Sequence, residues 1–282
     1  MCATANKTTT VKKETKNTLR IAVVQQNIEW GNPPANRTRI KTLLEQSAAV
    51  IENADLFVLP ETFTTGFGKH MASLAEPVDG PTLDFARETA LKHNVLFCSS
   101  WVVREGAENY NRFHFVSPNG EVWHYDKAHT FRVSGESEQI ARGKERTTIE
   151  WRGWRIRPAV CYDLRFPTWL RNGSEFDYDM LLVCANWPAS RSAAWKTLLK
   201  ARAIENLSYV VGCNRVGVDG EGGLYTGNSM AVDFKGLSVN GEDFTSEGVA
   251  TIELDAEKLE NFRSKWPFNL DFDNADTLWR KN

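Results

Sequence analysis

The 282-residue sequence is short of several things at once. It lacks any apolar run near the ~20 residues that a membrane-crossing helix needs. It lacks an excess of charge: 34 Lys and Arg against 36 Asp and Glu leave a net charge of −2, too small a field to gather nucleic acid or an anionic membrane. It has no GxxxxGK[ST] and no GxGxxG, so nucleotide binding finds no support. The five histidines, His70, His93, His114, His124 and His129, are dispersed and carry no metal-ligand spacing. Cysteine is sparse too. Cys2, Cys98, Cys161, Cys184 and Cys213 are odd in number, far apart and without a CxxC pair, which argues against a disulfide framework and a zinc site.

What is present is an ordinary globular composition, 41% hydrophobic and 25% charged. Met1 to Asn17 is polar and rich in Lys and Thr, with no secretory apolar stretch; Glu14 and the absence of Arg speak against a transit peptide. The segment reads as a disordered leader (1–17), ahead of one domain over 18–282, and cytoplasm is the expected compartment.

From Leu19 on, short apolar runs alternate with helical periodicity. Strands are expected at Leu19–Gln26, Leu56–Leu59, Val95–Val103, Trp154–Val160, Met180–Ala185, Tyr209–Asn214, Ser229–Asp233 and Val249–Leu254. Helices are expected at Arg39–Ile51, Pro81–His93, Thr168–Asn172 and Ala193–Glu205. Arg112–Tyr125 reads as a hairpin around Ser117-Pro118-Asn119-Gly120, where Asn-Gly can take positive φ angles. Strands separated by helices suggest βαβ units, and the hairpin makes the sheet mixed. From Glu257 the chain reads as a charged, aromatic tail.

Catalytic groups in α/β folds gather where strands end. Three residues answer to that: Glu61 after LFVLP, Lys127 after WHYD, and Cys161 after RIRPAV. Cys98, Cys184 and Cys213 lie within apolar runs and read as buried strand residues. Cys161 sits between a strand and an expected helix start, where free N–H groups lower a thiol pKa and can bind an oxyanion. By position alone it is equally a buried thiol that ends a strand. Glu61 alone reads as a solvated loop carboxylate, and Lys127 as a surface lysine. Together a base, a cation and a thiol form a usable set for covalent hydrolysis.

Six blocks in one order carry a more specific signal: Leu56–Phe67 (LFVLPETFTTGF), Tyr125–Phe131 (YDKAHTF), Ala159–Pro167 (AVCYDLRFP), Asn186–Arg191 (NWPASR), Lys200–Asn206 (KARAIEN) and Tyr225–Met230 (YTGNSM). Their order resembles the nitrilase superfamily of carbon–nitrogen hydrolases, closest to its ω-amidase branch. The resemblance implies a four-layer αββα sandwich of two mixed sheets, and a catalytic triad at Glu61, Lys127 and Cys161. It implies a second glutamate near the lysine; counting back from Gly143 favours Glu136, with Glu138 the alternative. It implies oxyanion binding by the Tyr162 N–H and carboxylate binding by Arg165, whose alternative is an ion pair with Asp163. Some ω-amidases carry Thr-Gly after the asparagine block; this chain has Ser190-Arg191-Ser192, and Arg191 is a second candidate anion contact. The implied substrate is a small linear amide, a dicarboxylic α-keto acid monoamide such as 2-oxoglutaramate or 2-oxosuccinamate. No metal or cofactor is required, no nucleic acid or membrane is involved, and the protein is expected to pair as a homodimer or higher homo-oligomer. The alternatives are another amidase or an N-carbamoyl amine hydrolase of the superfamily and, less favoured, a non-catalytic binding protein.

Overall fold

The computed structural model describes residues 17–241 and 244–272; most of the leader, and Trp279 of the tail, lie outside them. The chain enters through β1 (Thr18–Gln25), followed by α1 (Pro33–Gln46) and α2 (Ala48–Ile51). The helix expected from Arg39 starts six residues earlier, where Asn32 caps the Ala35 N–H and prolines occupy the first turn, and it breaks at Ser47. Next come β2 (Leu56–Val58), β3 (Glu76–Pro77), α3 (Pro81–His93), β4 (Leu96–Glu105), β5 (Glu108–Val116) and β6 (Val122–Asp126). The turn between β5 and β6 uses positive φ only at Gly120, because Pro118 favours an ordinary turn ahead of it.

The second half runs through β7 (Ile149–Trp151), β8 (Trp154–Val160), α4 (Pro167–Leu170), β9 (Met180–Cys184), α5 (Ser192–Asn206) and β10 (Tyr209–Cys213). The small hairpin β11 (Val216–Val218) and β12 (Leu224–Thr226) precedes β13 (Met230–Val232), β14 (Gly248–Asp255) and α6 (Ala256–Lys265). The first sheet has the order β14-β1-β2-β4-β5-β6 with β3 beside β4; the second has the order β13-β10-β9-β8-β7.

Strand alternation builds the layers. Leu19, Ile21 and Val23 of β1 face Ile156, Leu182 and Val211 of the other sheet in one core. Ala22 and Val24 face outward onto Ile40 and Leu44 of α1 and Leu83 of α3. The outer face of the second sheet packs Leu181, Val183 and Val210 against Trp195, Leu199 and Ala203 of α5. Gly212 allows this approach, since a Cβ there would meet Trp195 at 2.7 Å. Strands covered on both faces explain why their runs are nearly all apolar. The result is the expected αββα sandwich. Cys98, Cys184 and Cys213 are buried in it.

The expected tail is, from Ala256 to Lys265, the helix α6. Its Leu259 and Phe262 pack on the inter-sheet core, and its buried Arg263 pairs with Asp179 at 2.6 Å. No helix among the described residues is long and apolar enough to cross a membrane.

Candidate active site

β1, β2 and β4 run parallel, as do β8, β9 and β10, so each sheet collects several strand C-termini at one end. The two ends meet. The Asn186 N–H, just past β9, donates to Glu61 Oε2 at 2.9 Å, and Asn186 Nδ2 reaches the Glu61 carbonyl at 2.6 Å.

Glu61 leaves β2 on a loop that β4 holds in place. Ser99 Oγ donates to the Pro60 carbonyl (2.8 Å), and Ser100 Oγ accepts from the Thr62 N–H (3.1 Å). Thr62 takes φ +41°, a conformation that a β-branched residue rarely adopts. The Glu61 carboxylate is fully buried, so its charge must be compensated internally. Its Oε1 accepts from Lys127 Nζ at 2.8 Å and from Asn111 Nδ2 at 2.9 Å.

Lys127 follows β6, its N–H bonded to the Asn111 carbonyl and its carbonyl to the Gly143 N–H. The close contact needs glycine, because a Cβ on Gly143 would sit 1.9 Å from the Asp126 carbonyl oxygen. The Lys127 ammonium lies 4.9 Å from the Phe67 ring centre and also binds both oxygens of Glu136, at 3.0 and 2.9 Å. Burial works against its charge, but the carboxylates of Glu136 and Glu61 prevail and hold its pKa well above the ordinary lysine value. Glu136 opens the 3-10 turn Glu136–Glu138 and accepts from the Phe131 N–H. Burial and the neighbouring charge of Glu61 push its pKa up, against the pull of Lys127. Glu136 is the second glutamate in the cluster; Glu138 is exposed.

Cys161 stands where β8 ends, at φ +44°. Asp163 pins this bend: it accepts from the Val160 N–H (3.0 Å), the Tyr125 hydroxyl (2.8 Å), and the N–H and ring nitrogen of His129 (2.9 and 2.8 Å). With Asp163 so occupied, the alternative Arg165–Asp163 ion pair is not formed. The thiol donates to the Asn186 carbonyl at 3.8 Å. The sequence suggested a lowered thiol pKa, but the structure reverses the sign. Burial first, and the Glu61 carboxylate second, push it well above the ordinary thiol value, although Lys127 opposes them. The local reason is the turn: Cys161 starts a five-residue 3-10 segment and α4 has four residues, too little aligned backbone for a strong dipole. Cys161 is only partly covered at the pocket floor, yet protein surrounds its sulfur closely enough to desolvate the charged form.

Cys161 opens into a pocket of about 180 Å³ with Phe67, Phe131, Trp187 and Tyr225 among its walls. Tyr162 packs against Phe131 at 4.9 Å. Arg165 and Arg191 both line the pocket, exposed, with their guanidinium carbons 5.1 Å from the Trp187 ring and 5.5 Å from the Phe131 ring. Asp219 and Glu221, from the β11–β12 loop, complete the rim. Glu61, Lys127 and Glu136 lie behind the thiol, out of the pocket lining. Sequence reasoning missed Asn111 and Asn186 as members of the cluster. The signal for Asn186 was a lone amide directly after the all-apolar run of β9; for Asn111 it was the two-residue spacing to Phe113 and Phe115, which face the core.

The carbon-nitrogen hydrolase family profile matches residues 20–264. Omega-amidase YafV of Yersinia enterocolitica is 43% identical over 256 residues, 91% of this chain and 97% of that protein. A 2-oxoglutaramate amidase of Bacillus subtilis is 31% identical over 250 residues, 88% of this chain and 95% of that one. Among solved structures, a CN-hydrolase superfamily protein of Xanthomonas campestris with an arsenic adduct in its active site superposes with a TM-score of 0.88 at 41% identity, covering 92% of this chain and 98% of that chain. With a profile match over most of its length and this sandwich beneath it, the chain belongs to the carbon–nitrogen hydrolase family of the nitrilase superfamily.

Proposed function

We propose that this protein is an ω-amidase, which hydrolyses the terminal amide of a small α-keto acid monoamide through a thioester on Cys161. The observation that carries the reading is the buried Glu61–Lys127–Glu136 cluster directly behind a thiol that opens on an arginine-lined pocket. The names of the Yersinia and Bacillus relatives, an omega-amidase and a 2-oxoglutaramate amidase, support this substrate class, to which we assign 2-oxoglutaramate and its shorter homologue 2-oxosuccinamate.

At rest the thiol is neutral, held so by burial and by the Glu61 charge. As the sulfur attacks the amide carbon, Glu61 takes the thiol proton. The transfer moves one negative charge within reach of Lys127 and creates none, so the desolvated site tolerates it. The new oxyanion is stabilised by Lys127 and the Tyr162 N–H, which has no acceptor within its own turn. Collapse breaks the C–N bond, and Glu61 gives its proton to the departing ammonia. Water then loses a proton to Glu61 and attacks the thioester, and the thiol leaves reprotonated. Every proton is carried by a side chain, so the cycle calls for no metal and no organic cofactor. Arg165, and more weakly Arg191, hold the substrate carboxylate, each preorganised over an aromatic ring.

A second reading rests on Asp219 and Glu221, whose carboxylates on the rim suit an N-carbamoyl amine better than a keto acid. Ammonia release from 2-oxoglutaramate, 2-oxosuccinamate, succinamate, a neutral aliphatic amide and an N-carbamoyl amine separates the two; preference for the last overturns the ω-amidase assignment. The reading includes a cytoplasmic homodimer, for which the exposed Trp266, Phe268 and Leu270 offer apolar surface. Sedimentation of the purified protein tests the pairing.

A further inference from the structure

One buried donor of the cluster has no part in the steps above. Asn111 lies on β5 with its side chain fully buried. Its Nδ2 donates to Glu61 Oε1 at 2.9 Å and to Glu136 Oε1 at 3.3 Å. These are the same two oxygens that Lys127 Nζ holds at 2.8 and 3.0 Å, so the two carboxylates are bridged twice, once by a cation and once by a neutral amide. The other end of the amide, Oδ1, is buried with no hydrogen-bond partner among the described residues. A buried acceptor left unpaired is a cost that folds ordinarily avoid. Turning the amide over would not help, since its oxygen would then face both carboxylates.

We infer that Asn111 is a positioning residue, whose neutral N–H spaces the Glu61 and Glu136 carboxylates around Lys127 so that Glu61 remains the proton acceptor for Cys161. The inference rests on the reading of Glu61 as general base. The charged and titratable groups facing Glu61 are Lys127 after β6, Glu136 from its 3-10 turn, Cys161 at the end of β8 and Cys184 at the end of β9. Neither Lys127 nor Glu136 can replace a neutral donor. Another cation would hold Glu61 too firmly for it to accept a proton, and another acid would add to the repulsion that already raises Glu136. The amide stabilises the ionised pair without changing its net charge.

The support that Asn111 gives to the fold at this point is separable, because the bond from the Lys127 N–H goes to the main-chain carbonyl of Asn111 and survives any side-chain change. Asn111→Ala and Asn111→Ser are compared with the parent protein in three measurements: thermal melting, kcat and KM for ammonia release from 2-oxoglutaramate across pH, and the pH profile of Cys161 alkylation by iodoacetamide, with Cys161→Ala as the blank. A cluster with one donor fewer holds its proton to a higher pH, so the acid limb of both profiles moves upward by about one unit. In kcat the loss is roughly tenfold to a hundredfold, the value of a hydrogen bond to a charged group, while KM is unmoved. Folded variants with unmoved acid limbs, or with the loss confined to KM, overturn the assignment. Unfolding of both variants also overturns it, by making the amide a structural bond. If the parent protein releases no ammonia while the alkylation limb still shifts in the variants, the ω-amidase reading fails and the role of Asn111 stands.

Discussion

Behind Cys161, Glu61 and Glu136 share one ammonium in a fully buried cluster with contacts of 2.8–3.0 Å, whereas in front of it Arg165 and Arg191 stand exposed over single aromatic rings. The rear groups issue from loops locked by Ser99, Ser100, Gly143 and Phe131. The front groups belong to short 3-10 turns, Cys161–Arg165 and Ala189–Arg191, and touch solvent. Proton transfer demands fixed distances of hydrogen-bond length, and the groups proposed for it sit deep at strand ends. Recognition of a small acid needs only a cation within reach, which a surface turn supplies. Removing a charge from the rear cluster should therefore cost chemistry and stability together, and front substitutions should alter substrate choice alone.

The largest effect belongs to Lys127→Met, which leaves two carboxylates facing each other without a cation. Ammonia release should vanish, and denaturant unfolding should show a loss of about 3–5 kcal/mol, the cost of breaking a buried ion pair from one side. Cys161→Ala should lose all ammonia release too, yet melt near the parent protein, because the thiol's hydrogen bond to the Asn186 carbonyl, at 3.8 Å, is long and weak. An active Cys161→Ala enzyme would end the thioester scheme. On the front side, Arg165→Gln should raise KM for 2-oxoglutaramate by roughly tenfold to a hundredfold, with little effect on a neutral amide of the same length. Equal losses on both amides would move Arg165 from recognition into the fold. Arg191→Gln should be milder, roughly a fewfold in KM, as for an exposed charge.

The smallest effect separates activity from stability in acid. His114 is buried against Trp101, with ring centres 3.6 Å apart, and burial, then the charge of Arg112, lowers its pKa well below the usual histidine value. Its contribution to stability is present above the unfolded-state pKa of about 6.5 and is lost as pH falls, since the unfolded chain gains a proton that the folded one refuses. The melting temperature should drop between pH 7 and pH 5, and His114→Phe should flatten that slope while keeping the ring contact. A fall in activity that persists in His114→Phe then belongs to the carboxylate cluster. Identical slopes in the two proteins would rule out His114 as the source.

The legible parts of the fold were those whose burial repeats along the chain. The bounds of α3 and β8 follow their periodicity residue for residue, since each buries a continuous face. The start of α1 was hidden because Pro33–Asn36 carries no apolar rhythm; prolines and an Asn32 cap build it instead. β7, β11 and β12 are three residues each and exist through pairing with partner strands, which no local pattern records. At the site, Glu61, Lys127 and Cys161 could be picked out as polar residues at strand ends, and the family resemblance implied a second glutamate, Glu136 ahead of Glu138. Glu61 meets Lys127 across 66 residues, and the amides of Asn111 and Asn186 that bridge the cluster make contacts 25 to 125 residues apart. The sign of the Cys161 shift was illegible for the same reason: burial between the packed sheets raises it first, and Glu61 reaches that thiol from the other sheet.

That protonated thiol has a bearing on the protein's chemical lifetime. Peroxides oxidise thiolates far faster than thiols, and the first product, a sulfenic acid, leads on to irreversible states. A nucleophile that surrenders its proton only as the amide arrives spends its idle time in the form least open to such damage. On the proposed mechanism, the burial that makes Cys161 slow to ionise also keeps it out of the thiolate form that peroxides attack fastest.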